Sequence, residues 1–169
     1  MRVTFSNDGS LQIDDARLVY RNFSGNNGFN EGDRDFGVII PNSEIADALI
    51  ENGWNVTIKQ PRQEGDSPFM FMKVKFKIRY YGNGPDREMT PCVYLVSGNN
   101  RRRVNDEESL DNLDYIKIDH VDMDLAPYDW SHKGMSGRTA YLSAIEVVQK
   151  VDRFAARFAE EEAPEEVPF

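Results

Sequence analysis

The sequence predicts a mainly β, mostly antiparallel domain with one short helix in the middle of the chain and another near its end. Three observations predict it. Apolar and cationic residues alternate through residues 69–81, about seven extended segments are separated by turns, and only two short segments have the residue spacing of a helix. The pattern is typical of either a curled barrel or a sandwich.

The alternating segment 69–81 is the centre of this prediction. Since successive side chains of a strand point to opposite faces, its even-numbered residues form an apolar face and its odd-numbered residues a cationic face with aromatic ends. The odd-numbered residues are Phe69, Phe71, Lys73, Lys75, Lys77, Arg79 and Tyr81. At about 3.3 Å per residue the segment would be on the order of 43 Å long, so we expect it to bend, as strands do in barrels.

The cationic face has two interpretations. It is the solvent side of a half-buried strand, or it is a site for an anionic partner. The chain has 20 Lys and Arg residues against 29 Asp and Glu residues, yet no acid occurs between Asp66 and Asp86. This contrast favours a polyanion, and aromatic residues on the same face could stack on nucleobases.

Further strands are predicted at 11–13, 16–23, 34–40 and 54–59, before the central segment. A helix over 44–51 has a capping residue in Asn42 or Ser43 and a stop signal in Gly53. The loop 24–33 is rich in Gly and Asn. Because it lacks the Gly-Lys-Ser/Thr ending of a phosphate-binding loop, we interpret it as a flexible hairpin loop.

After the central segment, strands are predicted at 92–97, 115–125 and 138–148, a helical turn at 106–110 and a short helix at 151–158. The apolar phase slips in the strand 115–125, which indicates a bulge around Asp119 and His120. Arg101, Arg102 and Arg103 follow a Gly-Asn-Asn turn, so we place them at a loop tip. There they either reach phosphates or balance the acidic stretch 106–111.

Composition limits the class of protein. A chain of 169 residues fits one domain with a tail, and the net charge of -9 argues against a generally basic nucleic-acid coat protein. Cys92 is the single cysteine, so no disulfide framework or cysteine-based zinc site is expected. Without an apolar leader or a membrane-length apolar run, we expect a soluble intracellular protein with no membrane partner.

The segment 119–124 offers an alternative of another class. On a regular strand, His120, Asp122 and Asp124 would share a face and could hold Mg²⁺ or Mn²⁺, as in a metal-dependent nucleic-acid enzyme. A solvated outer strand face explains the same residues. No Ser/His/Asp or Cys/His spacing stands out, so we predict no enzyme, no metal and no cofactor.

The chain ends in an acidic, proline-containing run with an apolar tip, which a purely solubilising tail does not need. This ending resembles the C-terminal tip of bacterial single-stranded-DNA-binding proteins. The resemblance implies that the tail binds replication and repair proteins and competes with DNA for a cationic groove. The implied partner-binding residues are Glu165, Glu166, Val167, Pro168 and Phe169.

The body resembles a family of phage-encoded single-stranded-DNA-binding proteins with an OB-like barrel. The resemblance is carried by Arg21-Asn22-Phe23 with the Asn/Gly loop, residues 48–56, residues 119–124, Pro127 to Trp130, Ala140 to Leu142 and Asp152 to Ala155. This pattern spans residues 17–158, and the resemblance implies single-stranded-DNA binding on an OB-like antiparallel barrel with a helix inserted between strands. With the elements predicted from the residues, we expect an OB-like domain at 1–158 with a short C-terminal helix. The charge and prolines of residues 159–169 predict a disordered acidic tail.

The sequence therefore predicts a sequence-nonspecific single-stranded-DNA-binding protein of phage replication and recombination, working in the cytoplasm of an infected bacterial cell. Lys73, Lys75, Lys77 and Arg79 would contact phosphates, Arg101 to Arg103 would extend this track, and Phe71, Tyr81, Tyr128 and Trp130 would stack on bases. A metal-dependent enzyme and a protein-interaction or virion-assembly module are the alternatives. The sequence leaves homo-oligomer formation open.

Overall fold

The structure is a computed structural model that describes residues 1–26 and 32–151. Within these ranges it contains twelve strands and two α-helices. The strands are β1 (Arg2–Phe5), β2 (Leu11–Ala16), β3 (Leu18–Asn22), β4 (Arg34–Ile39), β5 (Thr57–Lys59), β6 (Phe69–Phe76), β7 (Arg79–Tyr81), β8 (Glu88–Thr90), β9 (Cys92–Ser97), β10 (Asn100–Arg103), β11 (Ile118–His132) and β12 (Met135–Gln149). The helices are α1 (Ser43–Glu51) and α2 (Glu107–Asp111).

Ten strands form one sheet with the path β1-β2-β11-β12-β6-β4-β3. Strand β5 pairs with β6, β9 pairs with the far part of β12, and β10 pairs with β9. Most pairs are antiparallel, but β12 runs parallel to β6 and to β9. In the described part of the chain no ladder joins β1 to β3, so the sheet is open. The short strands β7 and β8 form a separate two-stranded sheet.

The longest pair is the β11–β12 hairpin, which joins His132 to Met135 through two residues. Both loop residues, Lys133 and Gly134, have positive φ, as the tightest hairpin turns require. The register shifts between Ile118 and His120, where the sequence predicts a bulge, so that prediction is confirmed.

The core lies on the inner side of the sheet. The even-numbered residues of β6 all point into it: Met70, Met72, Val74 and Phe76. Three phenylalanine rings meet there: Phe23 just after β3, Phe36 of β4 and Phe76 at the end of β6. The centroids of Phe23 and Phe36 are 5.2 Å apart, and those of Phe23 and Phe76 are 5.6 Å apart. Helix α1 adds its buried residues, and its first turn is capped by the Asn42 side chain, which accepts a hydrogen bond from the Ile45 amide.

Charged side chains connect the segment around α2 to the rest of the core. The half-buried Arg34 side chain donates to the Phe23 carbonyl and to Asp111 Oδ1, the latter at 2.9 Å. The Asp114 carboxylate accepts hydrogen bonds from the amides of Phe23 and Ser24. Because these groups are removed from bulk water, losing one partner would leave a poorly solvated charge or amide.

The mainly β class with a short inserted helix is confirmed, and several element boundaries and positions differ from the prediction. The 69–81 strand ends at Phe76, and the chain then leaves β6 to pair with β8 through β7. Residues 101–103 belong to β10 rather than to a loop tip, because the tight turn at Gly98 and Asn99 returns the chain against β9. The predicted strands 115–125 and 138–148 become the longer β11 and β12, because their pairing continues to the hairpin turn. The predicted C-terminal helix and the acidic tail lie outside the described residues.

Among the described residues, no helix combines the length and apolar character needed to cross a membrane.

Candidate nucleic-acid interface

The outer face of β6 carries the predicted cationic side chains. Lys73 and Lys75 point outward between the buried residues of the strand, and Lys77 and Arg79 continue as exposed side chains beyond its end. Lys73 Nζ lies 3.6 Å from the Asp35 carboxylate on β4. The side chains of Lys75, Lys77 and Arg79 form no ion pair with residues in the ranges 1–26 and 32–151. We call these four side chains the cationic row.

Two tyrosines stand beside this row on the neighbouring strands. Tyr141 of β12 is the register partner of Lys75, so both side chains leave the same face of the sheet. Tyr128 of β11 meets the Tyr141 ring edge to face, with 5.9 Å between centroids. Tyr128 is 58% exposed, which leaves its ring available to a ligand.

An open groove of about 510 Å³ brings these groups together. Its lining residues are Phe76, Lys77, Arg79, Thr90, Pro91, Tyr128, Tyr141, Leu142 and Ser143. Its charged lining residues are the two cations Lys77 and Arg79, and Tyr128, Tyr141 and Phe76 provide aromatic surface. A phosphodiester would find its countercharges here while a base meets a tyrosine ring.

Trp130 lies further along β11, where its ring covers the backbone of Gly137. A Cβ at position 137 would come within 2.7 Å of the Trp130 ring, so this contact requires a glycine. Trp130 is half-buried. Its register and alternation place it on the outer side of the hairpin, in line with Tyr128.

On the opposite side of the hairpin, Arg138 forms a two-point ion pair with Asp129, with N–O distances of 2.7 and 3.2 Å. The Arg138 guanidinium also donates to the Asn52 carbonyl at 2.6 Å and lies 5.3 Å from the centroid of Trp54. The hydrogen bond from Arg138 lowers the pKa of the Asp129 carboxyl, against the opposing effect of desolvation. Arg138 thus holds the hairpin to the end of α1.

Phe71 lies at the other end of the cationic row and belongs to a second aromatic group. Its ring contacts Tyr20 of β3 at a centroid distance of 5.3 Å and Phe69 at 5.8 Å. Lys59 of β5 lies above both the Tyr20 and the Phe71 rings. Tyr81, also a predicted stacking residue, is exposed on β7, away from this group and outside the lining of the groove.

The three arginines of β10 have different surroundings. Arg101 pairs with Glu146 at 3.0 Å and stacks 4.0 Å from the Tyr94 ring centroid. Arg103 pairs with Glu88 at 3.3 Å and donates to the Met89 carbonyl. Arg102 is exposed. Two of these predicted phosphate ligands, Arg101 and Arg103, thus already have acidic partners. Within the described residues, Lys75, Lys77 and Arg79 have none.

Two of the three residues of the metal hypothesis, His120 and Asp122, are engaged in other contacts. Asp122 Oδ1 accepts a hydrogen bond from the Asp15 amide at 2.8 Å, and His120 Nδ1 lies 2.7 Å from the Asp119 carboxylate. That hydrogen bond lowers the pKa of Asp119. No group of three or more His, Cys, Asp or Glu residues within 1–26 and 32–151 is arranged to hold a metal ion.

Sequence reasoning missed Tyr20 and Lys59, and it did not assign Tyr141 to the site. Tyr141 could have been found, because alternation in the strand 138–148 places it opposite the buried residues Ala140 and Leu142. Tyr20 gave no such signal. The register of β3 against β4 shifts between Val19 and Asn22, and this irregularity decides where its ring points.

A family model described as "Putative phage ssDNA-binding domain" matches residues 2–167 of the chain. The chain belongs to this family. Its fold is similar to that of the single-stranded DNA-binding protein from bacteriophage Enc34, with a TM-score of 0.57 and 9% identity over 90% of this chain and 87% of that one. For the Enc34 protein in complex with ssDNA, the TM-score is 0.53 and the identity 14% over 90% of this chain and 93% of that one. No curated protein sequence matches the chain.

At such identities the likeness concerns the fold. Together with the family match it confirms the predicted resemblance to phage single-stranded-DNA-binding proteins and the OB-like, mainly β fold. The partner-binding tip, Glu165 to Phe169, lies outside the described residues and stays a prediction.

Proposed function

We propose that this protein binds single-stranded DNA without sequence preference, on the outer face of β6, β12 and β11. The observation that carries the proposal is the groove in which Lys77, Arg79, Tyr128 and Tyr141 meet. Membership of the phage ssDNA-binding family supports it independently.

The phosphate contacts come from those cations of the row that have no acidic partner in the described part of the chain. Lys75, Lys77 and Arg79 are exposed and unpaired there, whereas the charge of Lys73 is partly compensated by Asp35. A polyanion gains most at unpaired cations, because no existing ion pair must be broken first. Lys75, Lys77 and Arg79 are therefore the main phosphate ligands, and Lys73 contributes less.

The base contacts come from Tyr128 and Tyr141. Their edge-to-face arrangement leaves the exposed Tyr128 ring able to receive a base, while Tyr141 supports it from the adjacent strand. Stacking on an aromatic ring accepts any base, since every base has a π face. Duplex DNA keeps its bases stacked inside, so this mode of binding favours single strands.

The test is fluorescence anisotropy with labelled oligo-dT, mixed single strands and a duplex of equal length. We expect similar dissociation constants for the two single-stranded probes and much weaker binding of the duplex. Tyr128→Ala should weaken single-strand binding by about tenfold, in line with the loss of one stacked base. Equal affinity for the duplex, or full affinity in Tyr128→Ala, would contradict the proposal.

In the cell, the protein acts in phage replication and recombination in the host cytoplasm, where it covers exposed single strands and recruits partners through its acidic tip. The family match and the Glu-rich, Pro-Phe ending of the sequence support this role. Deletion of residues 160–169 should tighten DNA binding, because a tethered polyanion competes for the cationic row. The same deletion should abolish capture of host replication proteins, and weaker DNA binding after deletion would refute the competition.

A further inference from the structure

An aromatic cluster lies on the outer surface at the far end of the cationic row from the groove. It consists of Tyr20, Phe69, Phe71 and Lys59, and we call it the Tyr20 cluster. The Tyr20 ring meets Phe71 and Phe69 edge to face, at 5.3 and 6.4 Å between centroids. Lys59 Nζ lies 5.0 Å from the Tyr20 centroid and donates a hydrogen bond to Tyr20 Oη at 3.1 Å.

The backbone is shaped to bring this cluster together. Tyr20 has a φ of 52°, a left-handed conformation that is unfavourable for a bulky residue, and it sits where the register of β3 against β4 shifts. Strained backbone of this kind persists where the surrounding structure holds it, often at functional sites. The result is a large ring, 55% exposed, on the outer surface rather than in the core.

Gly37 provides the space. It lies on β4 between Val19 of β3 and Lys73 of β6, and a Cβ there would come within 2.9 Å of Val19 Cγ1 and 3.2 Å of the Phe71 ring. Without a side chain at position 37, Phe71 can lie across β4 and reach Tyr20. The bulge and the glycine are two separate features that produce one exposed aromatic surface with a cation above it.

The cluster is continuous with the cationic row. Phe71 precedes Lys73 by two residues and Lys75 by four on the same strand face, so it lies about 13 Å from Lys75 along β6. Tyr141 stands beside Lys75 on the other side of the row. The unpaired cations of the row therefore begin between two aromatic surfaces, and Lys59 adds positive charge at the Tyr20 cluster.

We infer that the Tyr20 cluster is a second base-stacking subsite, which takes an unpaired nucleobase of the same strand whose phosphates lie on the cationic row. The inference rests on the proposed function, because it names a further contact of the same ligand. It also predicts that the bound strand crosses β6 from the Tyr128 groove to β3, and that full affinity requires an oligonucleotide long enough to reach both ends.

The first test measures affinity against the length of oligo-dT for the full chain and for Tyr20→Gly. Glycine adopts a φ of 52° without strain, so this variant removes the ring while keeping the backbone, and its melting temperature shows whether the fold is kept. We expect a loss of about tenfold for long oligomers and little change for those too short to reach both ends. Tyr128→Ala is the matched variant at the other subsite.

The second test locates the base. Oligo-dT carrying one 5-iododeoxyuridine at successive positions is crosslinked by ultraviolet light, and the linked peptides are identified by mass spectrometry. Probe positions near one end should link to Tyr20 or Phe71, and positions several nucleotides away to Tyr128 or Tyr141. In Tyr20→Gly with Phe71→Ala the first set should disappear and the second should stay.

Three outcomes would overturn the inference. One is a wild-type protein that crosslinks through Tyr128 or Tyr141 only, and another is a Tyr20→Gly variant with unchanged affinity at every length. The third is a change of molar mass in Tyr20→Gly by light scattering, which would make the cluster a contact between protein chains. If the wild-type protein bound no single strand of any length, the proposed function itself would fall, and that result is distinct from the other three.

Discussion

Removal of the three unpaired cations of the row, Lys75, Lys77 and Arg79, should change the salt dependence of DNA binding by a calculable amount. The structure leaves Lys75, Lys77 and Arg79 without acidic partners in its described part, while Lys73 faces Asp35 at 3.6 Å. Three phosphate contacts to a single strand give a slope of about -2.1 in a plot of log K against log salt concentration. With that slope, the affinity falls about 18-fold between 50 and 200 mM salt.

The variant Lys75→Ala/Lys77→Ala/Arg79→Ala should lose most of this slope, and each single substitution should reduce it by about 0.7. Anisotropy titrations with a fixed oligo-dT at four or five salt concentrations measure it. Lys117→Ala is the charge-matched control for the single substitutions, since this exposed lysine lies just before the opposite end of β11. A slope that is unchanged in the triple variant, or reduced equally by Lys117→Ala, would refute the assignment of these three cations as phosphate ligands.

Three further predictions concern stability and chemistry. Arg34→Ala should lower the free energy of unfolding by about 2 to 4 kcal/mol in urea titrations, because it leaves the Phe23 carbonyl and Asp111 without their half-buried donor. Arg62→Ala in the loop before β6 is the surface control. An equal loss of stability in both variants would contradict the stabilising role of Arg34. The pKa of Asp129 is lowered by Arg138, so the ion pair stabilises the fold above the ordinary aspartate pKa, and this stabilisation is lost as the pH falls through the lowered value. The difference in melting temperature between the wild type and Asp129→Asn should therefore shrink as the pH is lowered from 5. A difference that stays constant would count against the pair. Incubation of labelled single strands with the protein and Mg²⁺ or Mn²⁺ should leave them intact, and cleavage that disappears in Asp122→Ala would instead establish the metal-dependent alternative.

The sequence predicts those parts of the fold in which burial alternates regularly. In β6 every even-numbered residue from Met70 to Phe76 is buried and the lysines between them are exposed, as the alternation indicates. The bulge near Asp119 was also predictable, because two apolar runs out of phase on one strand can share a core only if a residue is inserted between them.

Features that depend on contacts distant in sequence were not predictable. The strand after Phe76 leaves β6 because Arg79 to Tyr81 find a partner in β8, and local pattern carries no information on that choice. Similarly, three consecutive arginines give no sign that Arg101 will meet Glu146 across two ladders. The outward position of Tyr20 depends on both a register shift in β3 and a glycine in the next strand. Neither feature by itself predicts an exposed aromatic surface from the sequence.

The charges along β11 mark where the candidate nucleic-acid interface ends on this strand. Its outward residues change from Asp122 and Asp124 at one end to Tyr128 and Trp130 at the other, while Val121, Met123 and Leu125 stay buried. Asp122 lies directly opposite Glu146 on β12, and a smaller groove of about 210 Å³ adds Asp14 to these acids. Arg101 lies in this groove, where its ion pair with Glu146 offsets part of the like-charge repulsion. Such a distribution of charge would repel a phosphate backbone from this end and attract it to Lys75, Lys77 and Arg79, so in the proposed binding mode a strand held at Tyr128 is directed across the sheet toward β6 rather than along β11. An acidic protein can in this way hold a polyanion on one restricted path.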